Sequence, residues 1–145
     1  MQETADGGYI VIGSIGISSG DTDAYLLKTD ASGNKVWAKR FGGSSVDNAY
    51  SGQQTADGGY ILAGQTQTYD TYLVKTDSSG NFMWEKTFGG PISRYDEATS
   101  VQQTADGGYI LAGIIDTGGG NLDAYILKTD SAGSLEWEKI LGGTG

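Results

Sequence analysis

The stretch that decides the fold is YILAGQTQTYDTYLVKTDSSGNFMWEKTFGG, residues Tyr60–Gly90. It holds three short apolar runs with polar joins between them: Tyr60–Gly64, Thr71–Lys75 and Phe82–Phe88. The second run alternates with the period of a β-strand, and the first is apolar on both faces, which predicts a strand covered on both sides. The segment Asp77–Asn81 predicts a hairpin turn, because Asp bonds its own backbone and Gly supplies a positive φ.

Copies of this stretch make up the whole chain. Thr-Ala-Asp-Gly-Gly-Tyr begins at Thr4, Thr55 and Thr104, so successive copies start 51 and 49 residues apart. Two further motifs recur three times, Lys-Thr-Asp and a Trp followed two residues later by Lys. They begin at Lys28, Lys75 and Lys128, and at Trp37, Trp84 and Trp137. A period of about fifty residues with several strands per copy predicts propeller blades or an array of sheets.

Each full repeat is predicted to form four strands. The first strands are predicted at Ala49–Thr55 and Ala98–Thr104, with the end of one at Met1–Thr4; the second at Tyr9–Gly13, Tyr60–Gly64 and Tyr109–Gly113; the third at Ala24–Thr29, Thr71–Thr76 and Ala124–Thr129; and the fourth at Lys35–Phe41, Phe82–Phe88 and Leu135–Leu141. We therefore predict an all-β chain, one β-propeller segment over residues 1–145, with three four-stranded antiparallel blades at about 1–45, 46–95 and 96–145. The first repeat lacks counterparts of Val46–Ser51, so both ends of the chain are predicted to fall inside a repeat.

Composition narrows the range of functions. The chain has 25 Gly and one Pro, and it has neither Cys nor His. The commonest general base and metal ligand are therefore missing, as is any disulfide framework. A net charge of −9 argues against nucleic acid as a partner, and no apolar stretch is long enough for a membrane span.

The half-repeat Tyr-Leu-Val-Lys-Thr-Asp-x-x-Gly-x-x-x-Trp-x-Lys is similar to the repeat of quinoprotein-type propellers. The whole repeat resembles the fifty-residue TxDGGYIxxGxT…DxYLxKTDxxGNxxWxKTFGG blades of bacterial and archaeal propeller proteins, over essentially the whole chain. The resemblance implies a propeller fold, a Trp docked between blades, and an extracellular or cell-surface location. The vicinal Cys pair and Ca²⁺ ligands of quinone dehydrogenases have no counterpart here, so no cofactor is predicted.

Three blades cannot close a ring, because propellers use four to eight, and an isolated wedge of three would expose two apolar flanks. We predict that the chain partners itself, as a homodimer that forms a six-bladed ring. A trimer with nine blades is the second prediction.

Three groups of side chains are candidate site residues. Gln residues of the first strands are predicted to face an axial channel, where they solvate it or contact a small polar ligand: Gln2, Gln53 and Gln102. Aromatic residues are predicted to pack between blades, with stacking on sugar rings as the alternative: Trp37, Trp84, Trp137, Tyr25, Tyr72 and Tyr125. Repeated Asp residues are predicted to serve turns and blade edges, with Ca²⁺ binding as the alternative: Asp6, Asp57, Asp106, Asp23, Asp70, Asp123, Asp30, Asp77, Asp130, Asp47 and Asp96.

These features predict a non-catalytic structural or interaction scaffold that assembles into a closed propeller. A carbohydrate- or glycan-binding propeller with one shallow site per blade is the alternative, so a glycan or a protein ligand is a possible partner besides the chain itself. No metal site is predicted, and neither a membrane nor nucleic acid is predicted as a partner. An enzyme is disfavoured, because internal repetition would place any catalytic Asp in every blade, as structural Asp residues are placed.

Overall fold

The computed structural model describes residues 1–89, 95–118 and 120–142. Within these residues it contains twelve β-strands and no helix, and hence no helix that could span a membrane. The strands form three separate four-stranded sheets, each antiparallel and each ordered as its strands occur in the chain. The predicted all-β class, with three four-stranded antiparallel sheets, is therefore confirmed.

The three sheets are built from consecutive strands. Sheet 1 contains β1 (Gln2–Glu3), β2 (Tyr9–Ser18), β3 (Asp21–Thr29) and β4 (Lys35–Phe41). Sheet 2 contains β5 (Asp47–Gln54), β6 (Tyr60–Thr66), β7 (Thr71–Thr76) and β8 (Phe82–Phe88). Sheet 3 contains β9 (Asp96–Gln103), β10 (Tyr109–Asp116), β11 (Leu122–Thr129) and β12 (Leu135–Leu141).

The predicted strand ends agree at the three fourth strands and at β7, and they differ at the first strands, at the second strands and at the starts of β3 and β11. We predicted that the second strands of sheets 1 and 3 end at Gly13 and Gly113, but β2 continues to Ser18 and β10 to Asp116. Each is extended by pairing with the following strand, up to Ser18 opposite Asp21 in sheet 1. Isoleucines in these segments supply the β-branched side chains that favour a strand, so part of the predicted loop becomes hairpin.

The hairpin turn at Asp77–Asn81 has the predicted chemistry. The Asp77 carboxylate accepts hydrogen bonds from the backbone N–H groups of Ser79 at 2.9 Å and Asn81 at 2.8 Å. Gly80 has a φ of +75°, which a residue with a side chain rarely adopts. The same arrangement follows Asp30 and Asp130, so one turn joins the third and fourth strands in all three sheets.

The sheets pack face to face in chain order, with sheet 2 between the other two. One cluster of buried residues joins sheets 1 and 2, and another joins sheets 2 and 3. In sheet 2 the strand β7 is buried along its full length, and β6 is buried except at its last residue. The apolar character of both faces of Tyr60–Gly64 is thus matched by a neighbouring sheet on each side.

Two glycines at equivalent positions in sheets 1 and 2 meet different surroundings. A Cβ added at Gly64 would overlap the backbone carbonyl oxygen of Asn48 on the neighbouring strand β5. A Cβ added at Gly13 would meet no atom within 4 Å. The first strand therefore passes close to the glycine in sheet 2, while the same place beside β2 is open.

Gly64→Ala is expected to lower the free energy of unfolding by about 1–3 kcal/mol, because a crowded strand pair must shift to accept a methyl group. Gly13→Ala is the matched control and is expected to change stability by no more than about 0.5 kcal/mol. Urea unfolding followed by tryptophan fluorescence measures both. Equal effects of the two substitutions would contradict the difference in packing.

Candidate functional site

A tryptophan from one sheet contacts a tyrosine of the next at each of the two sheet junctions. The rings of Trp37 and Tyr60 have centroids 5.6 Å apart at an interplanar angle of 67°. Trp84 and Tyr109 repeat the contact at 5.9 Å and 61°. Both are edge-to-face pairs, a favourable arrangement for aromatic rings.

The same tryptophans cover the glycine of the next sheet's turn. A Cβ at Gly80 would lie 2.7 Å from Cζ3 of Trp37, and a Cβ at Gly133 would lie 2.7 Å from Cζ3 of Trp84. Beside the first contact, the Lys39 amine donates a hydrogen bond of 3.2 Å to Oδ1 of Asn81. Each junction is therefore an aromatic pair, a ring lying on a glycine, and a lysine near the turn.

The third tryptophan has no such neighbour among the described residues. Trp137 is 43% exposed, and the Lys139 amine lies 5.8 Å from the centroid of its ring. Apolar side chains on the same face of sheet 3 are also at least partly exposed. They are Ile110, Ala112, Ala124, Ile126 and Leu141. Their counterparts Ile10, Ala24 and Leu26 in sheet 1 are fully buried.

Within the described residues, sheet 1 has an uncovered face on the opposite side. Four side chains there are only partly buried: Tyr9, Val11, Tyr25 and Leu27. Their counterparts in sheet 2 are buried: Tyr60, Leu62, Tyr72 and Val74. Gly33, the counterpart of Gly80, has nothing within 4 Å of an added Cβ. The two ends of the stack thus expose the two different halves of the junction that occurs twice inside it.

The predicted packing tyrosines of sheets 2 and 3 lie in these junctions. Tyr72 and Tyr125 are buried, and their hydroxyls donate to the carboxylates of Glu85 at 2.7 Å and Glu138 at 3.4 Å. Burial raises the pKa of both hydroxyls, and the adjacent carboxylates raise it further. Both tyrosines therefore act as neutral donors at the sheet junctions.

The glutamines of the first strands differ in their contacts, and the sequence analysis did not distinguish them. Oε1 of Gln54 accepts from the Ala5 N–H at 2.8 Å, and Oε1 of Gln103 accepts from the Ala56 N–H at 2.7 Å. Of the predicted channel residues, Gln2 accepts from the Gln54 N–H at 2.8 Å. Gln53 lies beside Gln54, and Gln102 is exposed. The glutamines that tie one sheet to the turn of the previous one are thus Gln54 and Gln103.

A cavity of about 330 Å³ lies at the other edge of the sheets. It is lined by Arg40, Phe41, Gly42, Phe82 and Glu85, where the fourth strands of sheets 1 and 2 approach each other. The predicted ligand position at Gln2, Gln53 and Gln102 belongs to the first strands instead. The two places lie at opposite edges of the sheets.

A buried lysine in each repeat was not predicted from the sequence. The Lys75 amine donates to Oδ2 of Asp57 at 2.8 Å and to the carbonyl oxygen of Thr76 at 2.8 Å. Lys28 and Lys128 repeat both contacts, with Asp6 and Asp106. The recurrence of Lys-Thr-Asp together with the Asp-Gly-Gly turn is the sequence signal that could have identified this ion pair.

The turn carboxylates have lowered pKa values. Burial alone would raise the pKa of Asp57, but hydrogen bonds from Lys75, Thr55 and the Gly59 N–H outweigh it and lower the pKa to about 2. A hydrogen bond from the Thr4 hydroxyl, and then one from Lys28, lowers the pKa of Asp6 as well. These Asp residues serve turns and ion pairs, in the structural role that we predicted for them.

The structure provides no cage for a cation within the described residues. No group of three or more acidic side chains there could hold a metal ion. Burial outweighs a hydrogen bond from the Gly43 N–H and raises the pKa of Asp47, and the charges of Glu85 and Asp23 raise it further. Nearby carboxylates therefore repel one another at this place.

Comparison of the chain with protein-family models and with curated proteins finds no match.

The Asp57–Lys75 pair is expected to make stability depend on pH in the acid range. Because the folded pKa of Asp57 lies near 2, below its ordinary value of 3.8, its contribution is complete above about pH 4 and is lost as the pH falls toward 2. Asp57→Asn is expected to reduce the slope of unfolding free energy against pH in this window. Urea unfolding at several pH values measures the slope, and an unchanged slope in the variant would contradict the assignment.

Proposed function

We propose that this protein is a non-catalytic scaffold whose copies assemble head to tail into a closed ring, with each sheet as one blade of a β-propeller. One observation carries the proposal. The junction between neighbouring sheets occurs twice within the chain, and its two halves recur uncovered at opposite ends of the stack. A second copy of the chain offers the matching half at each end.

The proposed contact repeats the internal junction residue by residue. Trp137 of one copy packs against Tyr9 and over Gly33 of the next, as Trp37 packs against Tyr60 and over Gly80. The Lys139 amine reaches Asn34, the counterpart of the Lys39–Asn81 hydrogen bond. Both copies keep the internal arrangement, so no new type of contact is needed.

Hydrogen bonds at the first strands are also consistent with the proposed head-to-tail contact. The Ala5 and Ala56 N–H groups donate to Gln54 and Gln103 of the following sheet. By the same offset, the Ala105 N–H meets Glu3 of the next copy. A carboxylate can accept this hydrogen bond as the amide oxygens do.

Two copies are the smallest closed assembly of this kind. Propellers use four to eight blades, so three-bladed units complete a six-bladed ring as a homodimer. The dimer contains two identical head-to-tail contacts related by a twofold axis, which closes the ring and leaves no free apolar flank. A nine-bladed trimer is the second possibility and uses the same contact.

The scaffold role is supported by the contacts that the repeated side chains make within and between the sheets. The repeated Trp, Tyr, Lys and Asp residues bind neighbouring strands or sheets and are not gathered at one place. The chain supplies neither His nor Cys for general-base or thiolate chemistry. A protein partner held by such a ring remains a prediction.

The mass in solution tests the assembly. Size-exclusion chromatography with light scattering is expected to give twice the chain mass of 15.1 kDa. Trp137→Glu is expected to weaken association by about a hundredfold or more, because an aromatic side chain that the next copy would bury is replaced by a charge. Met83→Glu is the control, since Met83 is 54% exposed but lies on the middle sheet, away from both free faces.

A mass of three chains would replace the dimer by the trimer. A monomer at micromolar concentration, or equal loss of association in both variants, would overturn the head-to-tail contact. Circular dichroism of the two variants must match the parent protein, so that unfolding is not counted as dissociation.

The glycan-binding alternative predicts one accessible aromatic site per blade. Trp37 and Trp84 lie edge-on against tyrosines of the next sheet, which leaves Trp137 as the exposed tryptophan among the three. Titration with a panel of mono- and oligosaccharides, followed by tryptophan fluorescence, is therefore expected to show no saturable change. A saturable response that Trp137→Ala leaves intact would favour the glycan module instead.

A further inference from the structure

The cavity between the fourth strands of sheets 1 and 2 combines charged and aromatic side chains. Its volume of about 330 Å³ lies in the range of sites for small molecules. Its lining residues are Arg40, Phe41 and Gly42 at the end of β4, and Phe82 and Glu85 on β8. Phe41 is buried and Phe82 is 56% exposed, so one phenyl ring is fixed in the core and the other is accessible to solvent.

Both charged groups of this cavity have unused hydrogen-bonding capacity. Nε of Arg40 lies 4.0 Å from Oδ2 of Asp23, which is a loose ion pair at an arginine side chain that is 55% exposed. The guanidinium has no hydrogen bond within the part of the chain that the structure describes. Oε2 of Glu85 accepts from the Tyr72 hydroxyl at 2.7 Å, and Oε1 has no hydrogen bond to a described residue. The cavity therefore offers a planar donor group and a free carboxylate oxygen.

Two further carboxylates add negative charge at one side of the cavity. A Cβ added at Gly42 would lie 2.6 Å from Oδ1 of Asp23 and 2.9 Å from Oδ2 of Asp47, so both carboxylates lie close to this glycine. Oδ1 of Asp23 is buried and has no hydrogen-bond partner among the described residues. An ammonium group is therefore attracted to this side of the cavity, and a carboxylate is favourable only beside the guanidinium of Arg40.

The chemistry of this cavity does not recur at the junction of sheets 2 and 3. Thr87 stands there in the position of Arg40, and Leu135 stands in the position of Phe82. Glu138 is the counterpart of the cavity glutamate and also accepts from a tyrosine hydroxyl, so that contact belongs to both junctions. The side chains that serve packing recur with each repeat, whereas the guanidinium and the second phenyl ring do not. Packing between sheets therefore does not explain these two residues.

We propose that this cavity binds a small zwitterion, an α-amino acid with an apolar side chain. The guanidinium of Arg40 donates to its carboxylate, because the planar donor fork matches two carboxylate oxygens. The free oxygen of Glu85 accepts from its ammonium group. The apolar side chain packs against the rings of Phe41 and Phe82. The site goes beyond the scaffold role and lies between two sheets of one chain, so it does not depend on ring closure.

The test titrates L-phenylalanine into the ¹⁵N-labelled protein, together with two derivatives that each lack one charge. N-acetyl-L-phenylalanine has no ammonium group, and L-phenylalaninamide has no carboxylate. A ligand of this size is expected to bind with a Kd of about 1 mM. The amide signals of Phe41, Gly42 and Glu85 are expected to shift in a saturable manner. Each derivative is expected to bind about tenfold more weakly, because one charged contact is lost.

Two conservative variants assign the contacts. Arg40→Gln is expected to weaken the binding of phenylalanine about tenfold and to leave that of the amide unchanged, since the amide has no carboxylate to lose. Glu85→Gln is expected to weaken phenylalanine to the same extent and to leave the N-acetyl derivative unchanged. Glu138→Gln is the matched control, because it changes the equivalent glutamate at the junction without the arginine. A defect in folding would alter the binding of all three ligands together.

Absence of saturable shifts up to about 10 mM phenylalanine would overturn the proposal. Equal binding of the three ligands would also overturn it, because neither charge of the amino acid would then be recognised. Equal loss of binding in Glu85→Gln and Glu138→Gln would have the same consequence. The mass in solution is measured in the same samples, so failure of the amino acid site and failure of the ring are distinguishable.

Discussion

A sheet with two apolar faces needs a neighbour on each side, and this constraint governs the whole chain. Sheet 2 meets it fully, since β7 is buried from Thr71 to Thr76 between two clusters of apolar residues. Burial of such side chains is the main favourable term in folding. Every sheet carries the same pattern, so each sheet also presents a face that its own four strands cannot cover. The aromatic pairs between sheets follow from this need.

Polar groups make the stacking specific. Buried lysines are rare unless they are paired, and here each one meets a turn carboxylate and a backbone carbonyl oxygen. The pair fixes the turn after the first strand against the end of the third strand. Between sheets, glutamine side chains accept from backbone N–H groups of the preceding turn. Apolar faces alone would allow two sheets to pack in several relative positions, whereas these hydrogen bonds can form in one position.

Repetition made most of the fold predictable, and local irregularity limited the rest. The motif copies located every fourth strand and the turn at Asp77, because spacing and turn chemistry act within a few residues. The sequence analysis singled out Gln53, whereas Gln54 accepts from the preceding turn, because a bulge between Ala49 and Ser51 shifts the alternation by one residue. The burial of Lys75 depends on Asp57, 18 residues earlier, so neighbouring residues do not reveal it and only the joint recurrence of the two motifs indicates the pair.

Each sheet takes its four strands from one uninterrupted segment, in the order in which they follow one another. During synthesis a sheet can therefore pair all its strands as soon as its last residue leaves the ribosome, without waiting for distant sequence. Its apolar face, however, is covered only when the next sheet is made. Until then that face is exposed to water, and the newest sheet is the part of the chain that chaperones and proteases can reach.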